Sequence, residues 1–152
     1  GGVALNVSST GDAQEVFARL MQITDAKGVL IQEMASGEEL YCGAVKEGDF
    51  GHVVLCGLGG IFLELIGDTA SGLAPLSRQE AEMMIESLKG YELFKGYRNL
   101  KPLNKDKFVD VVMRIGALVH VAPEIVELDL NPIMASETNM VVVDARIRVE
   151  KA

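Results

Sequence analysis

The fold turns on "EIVELDLNPIMASETNMVVVDARIRVE", residues 124–150. Two runs of alternating apolar and polar residues flank "ASETN", a cluster of turn formers, and this pattern predicts an antiparallel hairpin. A turn centred near Glu137 sets Asn131 against Asp144, Asp129 against Arg146 and Glu127 against Arg148. Because side chains alternate along a strand, these residues share one face, while Val126, Leu128, Leu130, Val143, Ala145, Ile147 and Val149 share the other. The apolar face is expected to pack. The polar face has two readings. It can meet water as a row of cross-strand ion pairs, each contributing roughly 0–1 kcal/mol when exposed. Alternatively, an Asp144 carboxylate and an Asn131 carbonyl held one strand apart can share a Mg²⁺ whose octahedron is completed by waters and phosphate. Pro132 has no N–H to give a ladder, so it is expected to end the pairing beside Asn131 and leave room for a ligand.

Upstream, "APLSRQEAEMMIESLKG" (74–90) places Ser77 as an N-cap, Glu80 in a capping box and Gly90 as a stop, which predicts a helix of about three turns. "YELFKGYRNLKPLN" reads as irregular and basic. Asn104 can cap a further helix, "KDKFVDVVMRIGALVHVA", which must finish by Pro123. In the first half, residues 2–7, 28–34 and 39–46 and the run from His52 into "IFLELIG" read as short strands. Between the first two of these lies a helix with Asp12 as its N-cap. The pattern is an α+β fold, a mostly antiparallel mixed sheet with two to three helices and room for one parallel pair.

Composition narrows the function classes. The chain has 152 residues, 22 of them acidic and 14 basic, for a formal charge of −8. That balance argues against a duplex nucleic-acid partner, because phosphate binding is driven by concentrated cationic charge. The apolar run from Val53 to Leu63 is broken by glycines and falls short of the ~20 residues a membrane helix needs. The N-terminus has no basic segment leading into an apolar one, so no signal peptide is read. Cys42 and Cys56 form no C-x-x-C motif or disulfide framework, and a reducing cytoplasm is the expected location.

Two further segments carry candidate chemistry. Gly57, Gly59 and Gly60 follow a strand directly; they permit close backbone approach to a phosphate, or they build a tight bulged turn. The run matches neither the P-loop nor the dinucleotide fingerprint. Glu64 and Asp68 beyond it are either catalytic or solvated. At "VLIQEMASGEEL", a flat base can lie against backbone groups of Gln32, Glu33 and Met34 while Glu39 accepts from ribose hydroxyls. The competing reading is an acidic hairpin turn.

Taken together, "VLIQEMASGEEL", "GHVVLCGLGGIFLELIGDTASGLAPLS", "SLKGYELFKGYR" and "EIVELDLNPIM…VVVDARI" resemble, in order, the ATP-grasp domain of the NDP-forming acyl-CoA synthetases. That family includes the ADP-forming acetyl-CoA synthetases and is related to the succinyl-CoA synthetase β chain. The resemblance covers nearly the whole chain. It implies ATP or ADP held between two lobes, with Asn131 and Asp144 as Mg²⁺ ligands, Glu39 as the ribose-contacting acid and Gln32 to Met34 as the adenine hinge. Gly59 and Gly60 would lie near the phosphoryl-transfer region, with Glu64 and Arg146 as catalytic neighbours. The implied chemistry interconverts acyl-CoA, phosphate and ADP with acid, CoA and ATP through an acyl phosphate and a phosphohistidine.

The same resemblance marks a departure. Relatives place a lysine-bearing strand and an "HKSD"-type segment before the "GGV" that opens this sequence. His52 and His120 do not fall at that position. Residues 1–152 therefore read as a partial, incomplete ATP-grasp domain lacking its N-terminal segment, whether engineered, proteolytic or natural, and inactive alone. The partners expected are the nucleotide and the CoA-binding and ligase domains, or an α subunit, of the same synthetase. Apolar surface left open by a missing lobe would also favour a homo-oligomer. Two alternatives accompany this reading: a regulatory ATP-grasp region of a protein lysine acetyltransferase, and a non-catalytic subunit-interaction module.

Overall fold

The structure is a computed structural model. It describes residues 1–151 apart from Ile61 and Asn99, and does not describe the side chains of Phe62 and Glu64. The chain divides into two compact units, Gly1–Ala35 and Ser36–Ala152.

In the first unit, helix α1 spans Thr10–Leu20. Its N-cap is Ser9, one turn earlier than expected from the sequence. The Ser9 hydroxyl accepts from the Asp12 N–H at 3.1 Å, and the Asp12 carboxylate accepts from the Ser9 N–H at 3.1 Å. Asp12 is thus the third-position partner of a capping box rather than the cap. The strands expected at 2–7 and 28–34 are not formed: both segments run without ladder partners among the described residues. Alternating apolar residues acquire strand geometry only when a neighbouring strand takes up their N–H and C=O groups. Val3, Leu5, Leu30 and Ile31 are accordingly exposed.

The second unit is a sheet backed by helices. Its strands are β1 (Glu38–Lys46), β2 (His52–Leu58), β3 (Thr69–Leu73), β4 (Ile125–Ala135), β5 (Met140–Val142) and β6 (Ala145–Val149). The order is β3-β2-β1-β4, with β5 and β6 both pairing β4 as two pieces of one edge. Every pairing is antiparallel, so the parallel pair left open by the sequence does not occur among the described residues. Three helices follow β3: α2 (Arg78–Glu86), the single turn α3 (Glu92–Lys95) and α4 (Lys105–Val121). The Ser77–Glu80 capping box and the Asn104 cap form as predicted.

One face of the sheet is the core. Leu40, Cys42 and Ala44 of β1, Val54, Cys56 and Leu58 of β2, and Leu128 and Ile133 of β4 pack with Ala81 and Ile85 of α2 and Phe108, Val112 and Val119 of α4. At the sheet's edge this arrangement stops: Val143, Ile147 and Val149 are about half exposed, contrary to the expectation that their face packs. The strong helix packing falls on β1, β2 and β3 and does not reach β6.

Cys42 and Cys56 sit directly opposite each other in that core as free thiols. Burial pushes the Cys56 thiol up to about 12; it raises Cys42 as well, with repulsion from Cys56 adding to the shift. The folded chain therefore keeps these protons where an unfolded thiol, at 9.0, would lose them. The stability they confer is full below the unfolded value and is lost as pH rises toward the folded one. The urea midpoint should fall between about pH 8 and about pH 10.5, and fall less in Cys56→Ala. An equal fall in both proteins would remove the thiols as its cause.

Candidate functional site

The face of the sheet away from the helices gathers the polar residues, and β1 sets their order. Glu39, Tyr41, Gly43 and Val45 alternate along it, opposite the buried Leu40, Cys42 and Ala44. Against them β4 places Met134 beside Glu39, Asp129 beside Gly43 and Glu127 beside Val45. Between Leu40↔Ile133 and Cys42↔Leu130, two residues of β4, Asn131 and Pro132, stand against the single residue Tyr41. This is a β-bulge, a device that re-aims side chains within a continuing strand. Pro132 therefore does not end the ladder: β4 runs on to Ala135, and the Asn131–Pro132 bond is cis.

Across the edge, the hairpin has the register that alternation predicts. Asp129 pairs with Arg146 and Glu127 with Arg148. Asn131 faces Asp144, its N–H donating to the Asp144 carbonyl at 3.2 Å, and the Val143 N–H donates to the Pro132 carbonyl at 3.0 Å. Opposed residues of this kind hold their Cβ atoms roughly 5 Å apart, so an Asn131 amide and an Asp144 carboxylate on one face can reach a common ion. Glu127 and Arg148 form the expected ion pair, Oε2 to Nε at 3.2 Å. Arg146 differs. Its Nε lies 3.3 Å from Asp144 Oδ2, two residues earlier and just ahead of β6, rather than on Asp129 across from it. Asp129 is held above the usual carboxylate range by partial burial, the Arg146 charge opposing this and Asp144 and Glu127 adding to it.

The glycines serve close approach. Gly59 donates its N–H to the Glu39 carbonyl at 2.7 Å, and a Cβ there would sit 3.1 Å from the Glu39 backbone. Gly60 has φ +56°, and a Cβ on it would come within 2.6 Å of Glu39 Oε2. Glu39, Gly59 and Gly60 thus form one corner of the open face. Gly57 lies inside β2, where a Cβ would strike the Asp68 carbonyl. Asp68 is not solvated: it is buried and accepts from the Lys89 and Gly90 N–H groups, both at 2.8 Å.

Tyr41 was missed by the sequence reading. A Cβ on Gly43 would come within 2.6 Å of the Tyr41 hydroxyl, so the ring lies over that glycine, on the floor between the Glu39 corner and Asp129. Burial raises its phenol above the ordinary value, with the Asp129 charge next in effect. Its place, two residues after Glu39 on a strand, was the available signal. Gln32, Glu33 and Met34 belong to the first unit, where they are exposed in a segment without regular secondary structure. The Glu64 side chain lies outside the described residues; its backbone is in a short turn of π-helix, Phe62–Ile66. His52 opens β2, buried, with Nε2 2.6 Å from the Ile125 carbonyl, and is held there structurally.

An antiparallel sheet backed by helices, with oxygen donors and glycines on the face away from them, is matched by a family model described as "ATP-grasp domain" over residues 1–149, and the chain belongs to that family. It is 43% identical, over 98% of its length, to acetate–CoA ligase [ADP-forming] II of Archaeoglobus fulgidus, and spans 22% of that protein. It is 37% identical to the β subunit of acetate–CoA ligase [ADP-forming] I of Pyrococcus furiosus, spanning 97% of this chain and 67% of that subunit. Among solved structures, Ca. Korarchaeum cryptofilum ACD1 in complex with coenzyme A superposes with a TM-score of 0.91 at 37% identity, covering 99% of this chain and 69% of that one. The acetyl-coenzyme A synthetase 1 of that organism with coenzyme A and Mg-AMPPCP gives 0.89 at 37% identity, covering 99% of this chain and 68% of that one. The resemblance read from the sequence and the fold it implied are both borne out. No described helix is long and apolar enough to cross a membrane.

Proposed function

We propose that this chain supplies the nucleotide- and Mg²⁺-binding face of an ADP-forming acyl-CoA synthetase, converting acyl-CoA, ADP and phosphate to acid, CoA and ATP within a longer protein or a complex with an α subunit. The observation that carries the reading is the hairpin register that faces Asn131 with Asp144, in a chain whose relatives are acetate–CoA ligases.

The donor set fits a hard cation. Among the described residues no three His, Cys, Asp or Glu side chains converge as a cage. An amide oxygen and a carboxylate suit Mg²⁺, which keeps waters and takes phosphate oxygens for its remaining positions. When bound, the ion would neutralise charge developing on the transferring phosphoryl group. Asn131 on β4 and Asp144 at the junction of β5 and β6 would hold the ion. Arg146 adds positive charge beside it, and Glu39 offers its carboxylate to ribose hydroxyls at the opposite corner. Gly59 and Gly60 leave backbone accessible where side chains would block a phosphate. The residues of the first unit that the family resemblance assigns to the base are Gln32 to Met34.

Calorimetry on the full-length parent checks this reading. ADP should bind, and should bind at least about tenfold more tightly in Mg²⁺ than in EDTA, a coupling of about 1.4 kcal/mol. A parent that binds no nucleotide would favour a subunit-interaction module instead.

A further inference from the structure

Arg146 has two carboxylates within its reach and uses one of them. Its Nε is 3.3 Å from Asp144 Oδ2, while the residue directly opposite it on β4 is Asp129. Arg148, two residues on, is already committed: it pairs with Glu127 at 3.2 Å and with Glu150 at 2.7 Å. Resting on the Mg²⁺ reading above, we propose that Arg146 is a resident counter-ion for Asp144, displaced when a divalent cation loads, and that Asp129 receives the released guanidinium.

The argument is one of competition. A carboxylate in contact with a guanidinium cannot give the same lone pairs to a small dication at full strength, and two cations on one carboxylate repel. Loading the metal therefore weakens the hold of Asp144 on Arg146 and favours its departure. The register places Asp129 as its cross-strand partner, so the arginine moves sideways on the same face rather than into solvent. The pair being broken is weak, because the Arg146 and Asp144 side chains are 79% and 50% exposed. The competition is accordingly roughly two- to five-fold in metal affinity, the range of exposed ion pairs. Two functions follow from the exchange. Before the ion arrives, Asp144 is neutralised, which relieves repulsion from Asp129 and Glu127 on the same face. Afterwards the guanidinium stays on the same face beside Asp129, where it balances that carboxylate once the ion has taken Asp144.

The test is Mn²⁺ binding to the full-length parent without nucleotide, followed by electron paramagnetic resonance. Arg146→Gln should bind Mn²⁺ roughly two- to five-fold more tightly than wild type. Arg148→Gln, which removes the same charge from a different pair, should gain distinctly less. Asp129→Asn should weaken binding more in the wild-type background than in Arg146→Gln, because only there does it remove the arginine's second seat. If Arg146→Gln gains no more than Arg148→Gln, the exchange is wrong while the metal site stands. If the wild-type protein and every variant fail to bind Mn²⁺, the metal reading falls and the exchange with it.

Discussion

In the full-length parent, Asp144→Asn should lower ATP formation from acyl-CoA, ADP and phosphate by at least about a hundredfold, with folding intact. The side chain is half exposed and forms an ion pair with Arg146, also exposed. Surface changes of this kind typically shift stability by no more than about 0.5 kcal/mol. The substitution keeps the shape and one carbonyl oxygen but removes the negative charge a dication needs. Losing even part of the several kcal/mol a metal contributes to a phosphoryl-transfer barrier costs orders of magnitude, since each ~1.4 kcal/mol is tenfold. Raised Mg²⁺ should restore part of the rate by mass action. A coupled assay of ATP release, with circular dichroism as the control for folding, reads both halves of the expectation. Undiminished turnover would sink the assignment of Asp144.

Phe108→Ala should have the opposite profile. Phe108 is fully buried on α4 and stacks on Phe94 with ring centroids 5.8 Å apart, and Phe94 in turn stacks on Tyr91 at 6.0 Å. Removing it deletes the inner end of that stack and leaves a cavity between helix and sheet. Large aromatic truncations in such positions cost about 3–5 kcal/mol. The change lies on the face of the sheet opposite Asn131 and Asp144, so metal affinity measured on the folded fraction should stay near wild type. Urea denaturation of the parent checks the stability. A loss below about 1 kcal/mol would mean that the helical layer is not the core of this unit.

How much of this was legible in the sequence depends on the range of the interaction. The β4 hairpin could be read to the residue because a short turn and a two-residue period leave only one pairing that keeps Leu128 inside and Asp129 outside. Helix caps were nearly as readable, since Ser77 and Asn104 act within three residues of their partners; at α1, Ser9 and Asp12 both qualify as caps and only geometry separates their roles. The pairing of β1 with β4 was not readable, because nothing local in Glu38–Lys46 names a strand some ninety residues later in the chain. Lacking that pairing, the sequence could not reveal that Tyr41 faces Asn131, or that Pro132 belongs to a bulge. Residues 28–34 misled for the converse reason: their composition suits a strand, but strand geometry needs a partner that composition cannot guarantee.

The bulge at Asn131–Pro132 has a consequence for how this protein can vary. Upstream of it, the even-numbered residues Leu128 and Leu130 of β4 lie on the core side; downstream, the odd-numbered Ile133 and Ala135 do. The two halves of the strand are therefore out of phase, and the extra residue is the only thing that reconciles them. Deleting one residue there would not trim the site but invert one flank of it, turning Ile133 outward and Met134 inward. Length at this point is under tighter constraint than residue identity. A lineage could exchange the donor at position 131 more readily than it could shorten the strand that carries it.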